Sequence, residues 1–302
     1  MSGEGMARIG RVSMDYKTGI LLDGLGFPDC PRWHNGRLYF SDQYFNHVIS
    51  VDMEGDAASE TEVPGTPGGL GWLPDGRLLV VEMKNKRLLR LDEDDQLVVA
   101  ADLSHMVTTH LNDLVVDREG NAYVGNYGYD INDPSTEPHF AEIIMVAADG
   151  EISSLAHGLA FPSGMAITSD DATLIVAESS AARITAFTIT LEGLLVERRI
   201  WAEFDKLGLV VDQNRVIPDG ICLDAEGALW MASPGTPGGV FRVREGGEIT
   251  DRIEVEHQAF GVALGGPQRK TLFICTSYVD DDSNLYGRIE TVQVKVPGSG
   301  LP

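Results

Sequence analysis

Long apolar runs are absent from this 302-residue chain. Without about 18 consecutive hydrophobic side chains a membrane-spanning helix is excluded. Met1–Tyr16 also lacks the basic start and apolar stretch of a secretory leader. Cysteine is scarce: Cys30, Cys222 and Cys275 lie far apart and form no CxxC pair. Zinc-ribbon and dithiol redox motifs are therefore excluded, and three reduced thiols suit a cytoplasmic protein. Basic residues are outnumbered, with 23 Lys and Arg against 46 Asp and Glu, a net charge of −23. Such a surface repels phosphate backbones and argues against nucleic-acid partners. No amphipathic pattern with a 3.6-residue period is sustained, so the helices of an α/β barrel are missing. No GxSxG, P-loop, HExxH or EF-hand spacing occurs, which removes support for those mechanisms.

Glycine is abundant, at 34 residues, and much of it falls at a recurring turn. Gly36 in HNGRLYFSD, Gly76 in PDGRLLVVE, Gly120 in REGNAYVGN, Asp171 in SDDATLIVAES, Gly227 in AEGALWMAS and Arg269 in PQRKTLFICTS form one series. They are separated by 40, 44, 51, 56 and 42 residues. Each turn sits between two short β-branched or aromatic runs, and a third run follows, such as Val48–Val51 or Ile184–Phe187. A weaker fourth run, such as Ala58–Val63 or Val196–Trp201, follows five of the six units. This pattern predicts an all-β, six-bladed β-propeller forming a single domain over residues 1–302. Gly19–Leu22 would supply the missing outer strand of the last blade and so remove an exposed sheet edge.

In a propeller the innermost strand of each blade lines the central channel. The residues just before these strands read Pro28-Asp29-Cys30, Leu111-Asn112-Asp113, Pro162-Ser163-Gly164 and Pro218-Asp219-Gly220. Their second members, Asp29, Asn112, Ser163 and Asp219, all carry oxygen. Each triplet alone resembles an ordinary turn, as Pro74-Asp75-Gly76 does. Together at one repeat position they predict convergent donors for a hard divalent cation. His110 is a candidate general base beside Asn112. Tyr127 and Tyr129 are candidates for an aromatic wall, and Glu82 and Lys84 for ligand contacts at the rim. Glu82, Asn126, Glu178 and Ser233 also share one repeat position, which suggests a bracing role. Tyr127–His139 and Phe204–Val216 break the rhythm and are candidate rims.

PDCPRW (28–33), LNDLVVDREGNAYVGN (111–126), FPSGMAITSDDATLIVAES (161–179) and PDGICLDAEGALWMA (218–232) resemble the senescence-marker-protein, gluconolactonase and luciferin-regenerating-enzyme family. Squid-type phosphotriesterases and paraoxonases are more distant relatives. The resemblance runs from about Gly19 to Val296. It implies six blades and one catalytic cation at the channel mouth, calcium foremost, with Zn²⁺, Mg²⁺ or Mn²⁺ as alternatives. Asp219 matches the family's metal-binding Asp and Asn112 its Asn. Asp29 stands where relatives usually carry Glu, and Ser163 where they usually carry Asn. Asp is one methylene shorter than Glu, and a hydroxyl is a weaker calcium ligand than an amide oxygen.

These readings predict a metal-dependent hydrolase acting on a small lactone or related ester. Asp219 would hold the cation with Asn112 and Ser163, and Asp29 or His110 would activate water; Asn112, Tyr127 and Glu82 would contact substrate. The alternatives are a metal-independent propeller enzyme, such as a lyase, isomerase or strictosidine-synthase-like catalyst, and a noncatalytic binding propeller.

Overall fold

A computed structural model describes residues 16–130, 135, 137, 139–204, 216–235 and 238–300, and every structural statement concerns these. They form six four-stranded antiparallel sheets, the blades of the propeller. Blade 1 contains β2 (Pro28–His34), β3 (Arg37–Asp42), β4 (His47–Val51) and β5 (Ala57–Glu62). Blade 2 contains β6 (Pro67–Trp72), β7 (Leu78–Glu82), β8 (Arg87–Leu91) and β9 (Leu97–Asp102). Blade 3 contains β10 (Leu111–Val116), β11 (Ala122–Asn126), β12 (Ala141–Val146) and β13 (Ile152–Leu159). Blade 4 contains β14 (Pro162–Ile167), β15 (Thr173–Glu178), β16 (Arg183–Ile189) and β17 (Leu195–Glu203). Blade 5 contains β18 (Ile221–Leu223), β19 (Leu229–Ser233), β20 (Gly239–Val243) and β21 (Ile249–Ile253). Blade 6 joins β22 (Gln258–Gly265), β23 (Thr271–Val279) and β24 (Leu285–Gln293) to β1 (Gly19–Leu25). Among the described residues the only helical element is one 3₁₀ turn, Ser179–Ala181.

The six predicted turn residues explain the hairpins. Gly36, Gly76, Gly120, Asp171, Gly227 and Arg269 all have positive φ, between 54° and 90°. This conformation suits the tight connection between the first two strands of a blade. The strands that follow are buried on both faces, as in Leu78–Glu82 and Leu229–Ser233, because each blade is covered by a neighbour on either side. Six apolar clusters result, each drawn from two adjacent blades. Val48 of blade 1, for example, joins Leu70 and Val80 of blade 2, whereas Phe40 of blade 1 joins Phe273 and Ile289 of blade 6.

The ring closes through the chain ends. β1 pairs antiparallel with β24, with Gly19 opposite Thr291 and Leu25 opposite Gly287. The predicted closing run Gly19–Leu22 is thus a strand that extends three residues further. Among the described residues, no helix is long and apolar enough to cross a membrane. Deleting residues 1–25 removes β1 and bares the β24 edge. Light scattering during a thermal melt should then show aggregation at a temperature well below the full chain's transition.

Candidate active site

One segment of each blade builds the site. β2, β10 and β14 begin by pairing with the end of the next strand: Pro28 with Asp42, Leu111 with Asn126, Pro162 with Glu178. The register then breaks before pairing resumes at Arg32, Leu114 and Met165. Asp29, Asn112 and Ser163 therefore lie inside their strands, not just before them as the sequence suggests. Asp219 alone precedes its strand, while its N–H bonds the Ala232 carbonyl at 3.1 Å. All four residues line one cavity of 420 Å³ above the channel.

The same position in the other two blades is Gly68 and Phe260. Gly68 could bear no Cβ, because it would stand 2.6 Å from the Asn112 carbonyl oxygen. Phe260 lines the cavity and packs on Phe27 with 4.6 Å between ring centres. The residue preceding five of the six inner segments forms the wall: Phe27, Thr66, His110, Phe161 and Ile217; the sixth, Gln258, donates to the Pro234 carbonyl instead. Sequence reasoning missed most of this wall, although its signal lay one residue before each segment already singled out. Thr66 and Phe161 are held at φ of 66° and 61°, and Cys30 on the floor at 51°. Bulky L-residues avoid this region, and such strain concentrates at functional sites.

The bracing position holds these walls in place. Asp42 accepts the Gly26 and Phe27 N–H groups at 2.8 and 3.1 Å, and Ser233 Oγ accepts the Ile217 N–H at 3.0 Å. Glu178 accepts the Ala160 N–H at 2.7 Å while paired with Arg183 at 2.7 Å. Glu82 belongs to this class. It is fully buried, accepts from Arg87 and Asn85 at 2.6 Å each, and does not line the cavity. The expected ligand contact at Glu82 is therefore replaced by a structural one, because its carboxylate is spent within blade 2.

Two carboxylates meet at the floor. Asp29 accepts the Cys30 N–H at 2.7 Å and the Gln43 amide at 3.2 Å. Burial, with Asp113 adding to it, pushes Asp29 up to about 6 against the opposing Cys30 hydrogen bond. Burial and then the Asp29 charge raise Asp219 well above the ordinary carboxylate range, opposed by the Ser163 hydroxyl. Asn112 donates its amide to the Pro162 carbonyl at 3.0 Å and to Ser163 Oγ at 3.4 Å, so its own carbonyl oxygen is not engaged by these bonds. Ser179 Oγ lies 2.7 Å from the Pro218 carbonyl and 2.9 Å from Ser163 Oγ, and its single proton can serve one of them at a time.

Below this floor lies an ion pair that sequence reasoning did not find. Arg32 of blade 1 reaches across to both oxygens of Asp113 of blade 3 at 2.8 Å, and both side chains are about 5% exposed. The same guanidinium bonds the Leu114 carbonyl, and Asp113 also accepts the Leu114 and Met165 N–H groups. Gly69 of blade 2 makes room, since a Cβ there would stand 2.7 Å from Asp113 Oδ1.

His110 and Tyr127 enter the cavity as expected. Their rings meet edge to face at 5.8 Å, and Tyr127 stacks on Phe161 at 4.4 Å. Burial holds the His110 imidazole below its usual range, with Lys84 and Lys86 adding to the effect. Tyr129 packs against Phe161 from outside and bonds Ser180 at 3.1 Å. Lys84 lines the cavity. Of the two expected rim segments, residues 131–134, 136, 138 and 205–215 lie outside the described residues.

Among the described residues no three His, Cys, Asp or Glu side chains gather as a metal cluster. A cation here would rest on two carboxylates and neutral oxygens. That set is hard, all-oxygen and open to water, which fits Ca²⁺ or Mg²⁺ better than a thiolate- or imidazole-seeking metal.

The sequence profile described as SMP-30/Gluconolactonase/LRE-like region matches residues 27–278. The chain belongs to this family. Within it, the chain is 26% identical to a gluconolactonase of Zymomonas mobilis over 311 aligned positions, covering 92% of this chain and 86% of that protein. It is 24% identical to the pentonolactonase XacC of Haloferax volcanii over 258 positions, covering 84% and 82%. A solved regucalcin of Agrobacterium tumefaciens, described as a calcium-binding protein, superposes with a TM-score of 0.72 at 19% identity, covering 95% and 98%. That likeness is one of fold.

The ion pair should be a strong stability determinant. Arg32→Met leaves the Asp113 charge buried and should cost about 3–5 kcal/mol in urea unfolding. Adding Asp113→Asn removes that charge but keeps an oxygen for only one of the Leu114 and Met165 N–H groups, and should recover part of the loss.

Proposed function

We propose that this chain hydrolyses a lactone or related ester with the help of one divalent cation, calcium foremost, held by Asp29, Asn112, Ser163 and Asp219. The carrying observation is the pair of raised carboxylates at the floor of the cavity, with neutral oxygens beside them and the channel guanidinium bonded elsewhere. Family membership and the gluconolactonase and pentonolactonase relatives support the reaction class. The regucalcin likeness agrees with a cation.

When bound, the cation supplies a Lewis acid for the substrate carbonyl. The chain's own groups supply the rest. In the ion-free fold Asp29, at about 6, is largely ionised at neutral pH; beside a bound cation it would be ionised still more fully, and it is one candidate to draw a proton from water. Neutral His110 in the wall is the second candidate for that proton. The water oxygen bonds the carbonyl carbon, the ring C–O bond breaks, and the proton passes to the departing alkoxide. The product is a hydroxy acid. Asn112 and the Ser163–Ser179 hydroxyls fix the reacting face. Apolar walls keep bulk water from screening these charges.

Asp219→Ala should abolish lactone hydrolysis and the calcium-induced rise in melting temperature, with the far-UV spectrum unchanged. Ser163→Asn should enlarge that rise. Activity that survives exhaustive chelation in the parent would refute the cation; full activity in Asp219→Ala would misplace the site.

The calcium effect should also depend on pH. Asp29 is raised in the fold from 3.8 to about 6, so the folded state holds its proton longer than the unfolded chain. In ion-free protein its contribution to stability is present below pH 4 and lost as pH rises through about 6. The cation must displace that proton. Calcium should therefore raise the melting temperature more at pH 7 than at pH 5, and this difference should vanish in Asp219→Ala.

A further inference from the structure

We infer that the preferred substrate carries a flat apolar ring on its lactone or ester, and is not polyhydroxylated. This inference rests on the lactone hydrolysis proposed above. Polar groups cluster on the cavity floor, whereas the walls hold Phe27, Phe260, Tyr127 and Phe161. Phe27 and Phe260 belong to blades 1 and 6, and Tyr127 and Phe161 to blades 3 and 4. In a ring of six, the junction of blades 6 and 1 stands opposite the junction of blades 3 and 4. The two aromatic pairs, at 4.6 and 4.4 Å, therefore face each other across the cavity as a slot. Ile217 and Pro234 of blade 5 and Met83 of blade 2 extend the apolar lining.

A sugar lactone would bring several hydroxyls into this slot. Each leaves water and costs free energy unless a partner replaces it. The partners above the floor are few. Gln43 donates to Asp29, Ser179 lies 2.7 Å from the Pro218 carbonyl, and the Thr66 hydroxyl is buried out of reach without a partner among the described residues. The polar groups left above the floor, Lys84, His110, the Gln43 amide oxygen and the Tyr127 hydroxyl, share the lining with the apolar side chains named above. An aromatic ring instead gains offset or edge contacts on both walls. The left-handed backbone at Phe161, φ 61°, is strain retained where that ring meets Tyr127.

The test compares 3,4-dihydrocoumarin, δ-valerolactone and D-glucono-1,5-lactone with the calcium-supplemented full chain. kcat/KM should be at least tenfold higher for dihydrocoumarin than for the sugar lactone. Phe27→Ala and Phe161→Ala, each checked for an intact melt, should lower it at least fivefold more for dihydrocoumarin than for δ-valerolactone, mainly through KM. A preference for the sugar lactone, or equal losses on both substrates, would overturn the inference. If no lactone is opened, the hydrolase reading fails and calorimetry decides the slot separately. The lactam 3,4-dihydro-2-quinolinone should then bind at least tenfold tighter than D-gluconolactam and weaken in Phe161→Ala. Tighter binding of the sugar lactam, or binding of neither, would reject it.

Discussion

The guanidinium of Arg32 bonded to Asp113 across the channel is the contact on which the rest of the site depends. A six-bladed ring leaves an axial space that backbone cannot fill. Here a charged pair from blades 1 and 3 plugs it, with every strong lone pair and proton on Asp113 and most on Arg32 engaged. A buried pair of this kind adds little net stability over an apolar plug of equal volume. Its consequence is electrostatic. The positive charge beneath the floor is neutralised by Asp113, so Asp29 and Asp219 face each other with little compensation. Burial and mutual repulsion then favour a proton or a metal ion in the space between them.

The inner segments share one grammar. In five of the six the second residue lines the cavity, and in five the residue before the segment forms its wall. Their third residue is small: Gly69, Gly164, Gly220 and Gly261 meet neighbouring backbone or side chains at distances a larger side chain would not tolerate, and Cys30 is buried. Gly164, for instance, could carry no Cβ, which would stand 2.6 Å from the Asp219 carbonyl oxygen. Asp113 is the exception at this position, and it alone sends a side chain into the channel to meet Arg32. Oxygen donors at four of the six second positions then make a floor without any sequence-local metal motif.

This grammar explains what was legible in the sequence. The blades and their closure were readable because each hairpin carries its own turn residue and a strand was missing at one end only. Asp29, Asn112, Ser163 and Asp219 were readable because they share both position and chemistry. Phe260 shares the position but not the chemistry, so nothing in its sequence context marks it as part of an oxygen-donor set. Phe27, Phe161 and Ile217 look like ordinary apolar residues before a strand, and only the shape of the ring turns them inward. Glu82 was misplaced for the opposite reason: its charge suggested a ligand contact, but its repeat position marks it as a brace. The Arg32–Asp113 pair joins blades that are not neighbours, which no repeat-by-repeat reading can reveal.

The two departures from the family pattern fit together. Asp29 is shorter than Glu, and its oxygens are already steadied by the Cys30 N–H and Gln43. Ser163 is shorter than Asn, and its hydroxyl is tied to Ser179 and Asn112. A shorter side chain at each position reaches less far from its backbone toward the centre of the site. A cation held by fewer direct protein oxygens keeps more of its water. Such a site binds the ion less tightly, but leaves more coordination positions open to water and a carbonyl. With aromatic walls in place of further polar side chains, the surroundings of those positions have a low dielectric. A charge difference between ground and transition states counts for more there than in water. If the proposed cation binds here, weaker retention of the ion and stronger action on a bound carbonyl would follow from the same pair of shortened side chains.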